Sequence, residues 1–317
     1  MTFDNVGAFA GHPIDDTWDP AQTSPPWPQL PLAGSPQALP RVAVDYDGTA
    51  EDWVARLEAL VALPGADRLE GLSVGMWGQP YDTDASSIVA ALVAVASRLP
   101  SLRVLVFGDM SMEECEVSWI KSTDLSPLWA AYPQLEHLLI RGSDGLALPA
   151  LRLARLRTLR IECGGLDRTV VHQVLAADLP ALEELTLYLG DDDYGATSTV
   201  EDLGPLLRGE VLTTVTRLGL VDSVIQDEIA QALTGAPVLE RLTDLDLSQG
   251  VLTDAGGRAL LANPALARLR RLDLHHHYLS DELARQLAAL GPEVDVSDPQ
   301  VPDEYNGTTY YTVAVGE

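Results

Sequence analysis

An α/β fold of stacked repeats is predicted by three features of the sequence. These are a recurring leucine pattern, a helical apolar period after each recurrence, and a length of 317 residues, which calls for two domains or one elongated array. The pattern is LxxLxL, with x mostly polar. It occurs at Leu69-Leu72-Val74, Leu102-Leu105-Phe107, Leu135-Leu138-Ile140, Leu156-Leu159-Ile161, Leu182-Leu185-Leu187, Val215-Leu218-Leu220, Leu242-Leu245-Leu247 and Leu269-Leu272-Leu274. Leu39-Val42-Val44 reads as a first copy and Val294-Val296 as a degenerate last one. From Leu69 the starts lie 33, 33, 21, 26, 33, 27 and 27 residues apart. Leucine-rich repeats run roughly 20–29 residues, so three spacings carry insertions.

Each element follows from its period. Apolar alternation at L-x-L predicts a strand with one buried face. Ile229, Ala232 and Leu233, or Ala255, Ala259, Leu260 and Leu261, then recur at helical spacing. Because a helix makes each return trip, the strands are expected to be parallel. In one unit Leu242, Leu245, Leu247 and Leu252 point inward, Asp254 starts the helix, and Pro264 marks the descent to Leu266 and Leu269. The expectation is a leucine-rich-repeat solenoid, a horseshoe with a curved parallel β-sheet on the concave side and α-helices on the convex side.

A solenoid needs caps at both ends. Residues 1–40 form a Pro-rich extension (Pro13, Pro20, Pro25, Pro26, Pro28, Pro31, Pro36 and Pro40) with Phe3, Phe9, Trp18 and Trp27 available to cover the first repeat. The repeats span 41–297. The tail, 298–317, is expected to close the last repeat with a short strand over Tyr310 to Val315.

Composition narrows the partner. Asp and Glu number 47 against 20 Lys and Arg, for a net charge of −27. Such a chain repels phosphate backbones and anionic membranes, so neither nucleic acid nor membrane is expected as a partner. Cys115 and Cys163 belong to no CxxC pair and suit a reducing cytoplasm as free thiols. Residues 1–19 lack a signal-peptide pattern, and no apolar run approaches the ~20 residues a membrane helix needs.

Leu252 to Leu261 (LTDAGGRALL) with Leu269 to Leu274 (LRRLDL) resembles ribonuclease-inhibitor-type repeats. Nearly the whole chain is similar to a bacterial, actinomycete-type family of leucine-rich-repeat proteins. The likeness rests on Gly108 to Ile120 (GDMSMEECEVSWI), Thr199 to Glu210 (TVEDLGPLLRGE), Leu272 to Ser280 (LDLHHHYLS) and Val313 to Glu317 (VAVGE). The resemblance implies a scaffold or recognition protein and brings no catalytic residues.

Residues between and flanking the leucines are expected on the concave face. They are His137, Arg141, Thr158, Arg160, Glu162, Glu184, Thr186, Tyr188, Arg217, Asp244, Asp246, Arg271, Asp273 and His275. Adjacent strands lie roughly 4.8 Å apart, so Asp244 should neighbour Arg271, Asp246 should neighbour Asp273, and Ser248 should neighbour His275. Tyr and Arg dominate hot spots, which favours protein or peptide recognition. A metal site or a hydrolase centred on Asp246, Asp273 and His275, with Ser248 as nucleophile, is the alternative, but no cage and no oxyanion hole accompany it.

His275-His276-His277 cannot share one metal in a regular strand, because alternation turns His276 the other way. His277 instead stands where these repeats carry Asn and is expected to satisfy backbone groups at the bend. The insertions leave the C-terminal ends of their strands and line one rim. They carry Trp77, Tyr81 and Asp82; Asp109, Glu113, Glu114, Glu116 and Trp119; and Asp191, Asp192, Asp193 and Tyr194. Acidic loops with aromatics suit a basic partner. The Asp191–Asp193 run lacks EF-hand spacing, and Trp77 and Trp119 serve equally well as loop anchors. No phosphate loop, HExxH or paired CxxC is present, so no catalytic residue, metal or cofactor is expected, and the chain is expected to be monomeric alone.

Overall fold

The computed structural model describes residues 4–16 and 38–316. Of the expected N-terminal cap, Phe3, Trp18, Trp27, Pro20, Pro25, Pro26, Pro28, Pro31 and Pro36 lie outside the described residues. The chain forms two compact units that divide between Glu162 and Cys163.

In the first unit the chain order is β1 (Ala8–Phe9), β2 (His12–Asp15), β3 (Leu39–Val42), α1 (Ala50–Val61), β4 (Gly71–Val74), α2 (Ser86–Val95), β5 (Val104–Phe107), α3 (Pro127–Ala131), β6 (His137–Arg141) and β7 (Thr158–Glu162). Apart from the antiparallel β1–β2 hairpin, each strand pairs in parallel with the next. The register stacks Leu72, Leu105, Leu138 and Leu159 side by side, all essentially buried. Helix α1 begins with a capping box in which the Asp52 N–H donates to Thr49 Oγ1 (3.2 Å) and the Thr49 N–H donates to Asp52 Oδ2 (3.0 Å). Its buried stripe, Trp53, Leu57, Leu60 and Val61, is tied to the sheet where Trp53 Nε1–H donates to Val42 O (2.7 Å). The 21-residue spacing between the sixth and seventh strands contains no helix; its connection is irregular.

The first repeat sits two residues out of the expected register. Val42 pairs with Val74, rather than with Leu72, and the Val44 N–H donates to Met76 O (2.8 Å). A shift of two keeps every side chain on its own face, so Val42 and Val44 remain buried. Leu39, three residues before Val42, stands by alternation on the sheet face opposite the core leucines, clustered with Val104, Val106 and Leu139. Gly71 makes this possible, since a Cβ there would lie 2.4 Å from Leu39 Cδ2.

The second unit comprises α4 (Arg168–Leu175), β8 (Glu184–Gly190), α5 (Gly204–Leu207), β9 (Arg217–Ser223), α6 (Gln226–Ala232), β10 (Asp244–Asp246), α7 (Asp254–Leu261), β11 (Arg271–Asp273), α8 (Asp281–Ala288), β12 (Glu293–Asp295), β13 (Asp303–Tyr305) and β14 (Thr308–Tyr310). Strands β8 to β12 pair successively in parallel and stack Leu185, Leu218, Leu245, Leu272 and Val294. Helices α6, α7 and α8 pack in sequence. At the strand ends the chain bends through left-handed residues at Asp222, Gln249, His276 and Asp298. Non-glycine residues rarely adopt this conformation. Here it is held by a backbone ladder: Asp222 N–H to Ser248 O (2.9 Å), Gln249 N–H to His275 O (2.9 Å) and His276 N–H to Ser297 O (3.0 Å).

Two expectations about this unit change. Tyr310 to Val315 is not a strand closing the last repeat. Strands β13 and β14 form an exposed antiparallel hairpin, and residues 312–316 then run back across the bends. The Thr312 N–H donates to Tyr278 Oη (3.0 Å), Ala314 N–H to Gln249 O (2.8 Å) and Val315 N–H to Asp222 Oδ1 (2.8 Å). Burial of Val313 and Val315 drives this course. Second, strand β11 ends before the histidine run, and the left-handed turn at His276 breaks the alternation there. Each histidine therefore meets its own surroundings.

His277 performs the expected backbone service. Its Nδ1 accepts from the Leu279 N–H (3.1 Å), so the proton lies on Nε2, which donates to Val296 O (3.0 Å). Replacing His277 by Ala orphans both backbone groups and is expected to cost about 1–3 kcal/mol in urea unfolding, with His277→Asn losing less.

Candidate recognition surfaces

On the open face of the second sheet, register forms a row of alternating charge: Glu184, Arg217, Asp244, Arg271 and Glu293. Arg217 Nε–H donates to Glu184 Oε2 (2.9 Å). The predicted neighbours Asp244–Arg271 and Asp246–Asp273 are in register, but the charges pair differently. Arg270 takes Asp244, leaving Arg271 to reach Asp273 Oδ2 (2.8 Å). Half-exposed pairs of this kind contribute little to stability.

A second row, Asp246, Asp273 and Asp295, explains the carboxylates proposed as metal ligands. Each accepts the backbone N–H two residues on: Ser248 (3.0 Å), His275 (3.1 Å) and Ser297 (2.9 Å). The repeated D-x-S/H is thus a turn motif that ends each strand. Among the described residues no three His, Cys, Asp or Glu side chains are gathered as a cation site. The hydrolytic arrangement is not assembled either, since Ser248 Oγ is buried and has no hydrogen-bond partner. His275 Nδ1 lies 2.7 Å from Asp273 Oδ1. His276 is buried against Asp298 (3.4 Å), with burial lowering its pKa.

The His275–Asp273 pair sets a pH window. The Asp273 hydrogen bond raises the His275 pKa above its ordinary value. Burial pushes the Asp273 carboxyl up, but hydrogen bonds from His275 and Arg271 outweigh it and the net shift is down. A raised histidine contributes stability below about pH 6.5 that is lost as pH climbs through its folded value. A depressed carboxylate contributes above about pH 3.9 and fails below that. Their joint contribution is therefore greatest between about pH 4 and 6.5. The melting temperature of His275→Gln is expected to fall most within that window and to converge toward the parent's above it.

The open face of the first sheet is not a solvated surface. Val104, Val106 and Leu139 stand on it, covered by Val6, Phe9 and Ile14 from the N-terminal segment. Around them lies a charge network. Asp109 is fully buried, accepting Ser73 Oγ–H (2.6 Å) and the Val6 N–H (2.7 Å), with Arg41 Nε 3.4 Å away. Arg41 also grips Glu114 (2.6 Å). Arg141 binds Glu162 (2.6 Å) and donates to Asp4 O (2.7 Å), while Arg160 pairs with Glu162 (2.5 Å). His137 meets Thr158 Oγ1 (3.0 Å) and the edge of Phe9. Arg141, Glu162 and Asp109, expected as contact residues, are internal because buried charges demand partners. In the second unit Tyr188 and Thr186 are also buried.

The rim separates anchors from exposed groups. Trp77 is buried against Phe107 and donates to Thr83 O (3.1 Å), so it is an anchor. Trp119 is 59 % exposed. Tyr46, which the sequence reading missed because it lies past the first strand, is 57 % exposed. It stacks on Tyr81, their hydroxyls 2.9 Å apart. That hydrogen bond pushes the Tyr81 hydroxyl pKa up to about 12. Asp45, Asp47, Asp82 and Glu113 are exposed. A cavity of about 470 Å³ beside Tyr46 is lined by Val44, Asp45, Asp47, Gly48, Asp52, Ala55 and Arg56. The Lys121 N–H donates to Pro80 O (2.8 Å), tying the Trp119 loop to the Tyr81 loop.

In the second unit Asp191 accepts the Asp193 N–H (3.0 Å) and starts a single helical turn, Asp192–Tyr194, with Asp192 and Asp193 exposed. Its pKa is raised, first by burial and then by Asp192. The same insertion is fastened by Asp202, which accepts the Thr199 N–H (2.9 Å) and meets His172 (2.7 Å) and Arg168 (2.9 Å). Burial opposes ionisation there, yet these bonds hold Asp202 at about 2.

Cys115 and Cys163 are both free and buried. Burial, with Glu116 and Glu114, pushes the Cys115 thiol up to about 12. Neither is expected to take up iodoacetamide at pH 8 until the chain is denatured, when intact mass should show two additions.

These features define an α/β repeat-like protein, with mostly parallel strands and helices between them and no helix among the described residues long and apolar enough to cross a membrane. Its sequence is 32 % identical to that of a Bacteroides fragilis protein whose crystal structure comes from a structural-genomics programme. The match covers 90 % of this chain and 79 % of that one, with a TM-score of 0.80. The chain belongs to the same family as that protein. No protein-family model and no curated protein matches it.

Proposed function

We propose that this is a leucine-rich-repeat recognition scaffold, not an enzyme, and that it engages a basic protein partner through the loop rim of its first unit. The repeats fit the ribonuclease-inhibitor type in their strand–helix alternation and their in-register leucines. The observation that carries the reading is the exposed pair Trp119 and Tyr46, with half-buried Tyr81 stacked on Tyr46, among Asp45, Asp47, Asp82 and Glu113. Large exposed aromatics are enriched where protein surfaces are recognised, and their rigid rings lose little entropy on contact. Uncompensated carboxylates around them favour lysine and arginine on the partner and speed the encounter. By contrast, the charges on the sheet faces are already matched internally, which leaves them less to offer. Two buried free thiols suit a reducing compartment such as the cytoplasm.

The test is quantitative capture from native lysate with the parent and with a Trp119→Ala/Tyr46→Ala variant. Loss of an anchoring aromatic costs about 2 kcal/mol or more, so the true partner should fall at least tenfold and weaken further in 0.5 M salt. Equal recovery on the folded variant would remove the rim from consideration.

A further inference from the structure

Residues 4–16 behave as a bound peptide. They form a small hairpin, turned at Ala10 and Gly11, that lies on the open face of the first sheet. Two kinds of contact hold it. Its apolar side chains Val6, Phe9 and Ile14 sit on Leu39, Val104, Val106 and Leu139. Its backbone is read by side chains of the sheet, with the Val6 N–H on Asp109 and the Asp4 carbonyl on Arg141. Strand β2 also adds to the edge of β3, in the manner of an edge-binding peptide.

We propose that this face is a docking site for an extended peptide anchored by apolar side chains, with the chain's own N-terminal hairpin as its resident occupant. The chemistry of the guest follows from the neutrality of the host. Asp109 is matched by Arg41, and Arg141 by Glu162, so neither host charge demands a counter-ion from the guest. What the host offers is one acceptor for a backbone N–H, one donor for a backbone carbonyl, and an apolar floor for side chains such as Val6 and Phe9.

Replacement, rather than simple opening, is the process this face supports. A bare face would expose Val104, Val106 and Leu139 and leave Asp109 without its Val6 donor, so the hairpin leaves only as another chain takes its place. The hairpin itself is a weakly independent element, since two short strands have no stability away from the sheet. Between its last strand residue, Asp15, and Leu39 lie 23 residues, although β2 and β3 are adjacent partners.

The probe is a labelled synthetic peptide of residues 4–16, DNVGAFAGHPIDD, with a scrambled control. Full-length Val6→Asp/Phe9→Ser is expected to bind it saturably and at least tenfold more tightly than the parent, whose own hairpin competes. Adding Arg141→Gln should weaken that binding at least tenfold. A variant that melts cooperatively but binds the peptide no better than the parent or the scramble overturns the proposal. As a second measurement, independent of that variant's folding, the parent receives a protease site between residues 24 and 30 and is cut. The released N-terminal fragment should exchange with a hundredfold excess of labelled peptide within hours; retention without exchange over a day overturns the proposal.

Discussion

In both units each strand presents a leucine to its neighbour's leucine, and the backbone ladder holds the two level. Leu72, Leu105, Leu138 and Leu159 form one such line, and Leu185, Leu218, Leu245 and Leu272 another. Each leucine is buried only because the next repeat lies over it, so no repeat can complete its own core. Everything else is positioned by this register. The rows of charge on the open faces, the bends at the strand ends and the loops of the rim recur because the leucines do. A slip of one residue would turn the apolar set outward. The slip of two in the first repeat is tolerated because it preserves the faces.

Buried carboxylates do a second job by fastening the terminal segments. Asp109 receives the Val6 N–H in the first unit, and Asp222 receives the Val315 N–H in the second. In each case a buried carboxylate takes a backbone N–H of a terminal segment whose apolar side chains are buried beside it. Asp222 accomplishes this from a left-handed bend, fully buried, with burial raising its carboxyl pKa well above the ordinary range. The segments hide apolar residues that solvent would otherwise meet.

Electrostatics then sort the surface by use. Charges on the sheet faces find partners on neighbouring strands, as Glu184 does with Arg217 and Asp273 with Arg271. The Asp246–Asp273–Asp295 row is spent on backbone N–H groups. On the loops that leave the strand ends of the first unit, Asp45, Asp47, Asp82 and Glu113 stand exposed beside Tyr46 and Trp119. Those loops are the parts least constrained by the repeat, and so the most free to serve recognition.

The strands, their parallel order and the buried leucine lines were legible in the sequence, because a two-residue period and a repeat length are one-dimensional signals. His277 could likewise be read as a backbone-satisfying residue from its place in the repeat. Some of the rest was written but overlooked: Val104 and Val106 alternate with Leu105 and Phe107, so β5 is apolar on both faces, the mark of a strand covered twice. What covers it could not be read, because Val6 and Phe9 meet Val106 and Leu139 across about a hundred residues with no periodic link. For the same reason Asp109 and Arg141 looked like surface charges until the fold supplied their partners. The sequence by itself determined the repeating core, whose contacts pair equivalent positions of neighbouring repeats. Only the tertiary structure decided which charges are internal and which aromatics are exposed, since both depend on where the non-repeating segments come to rest.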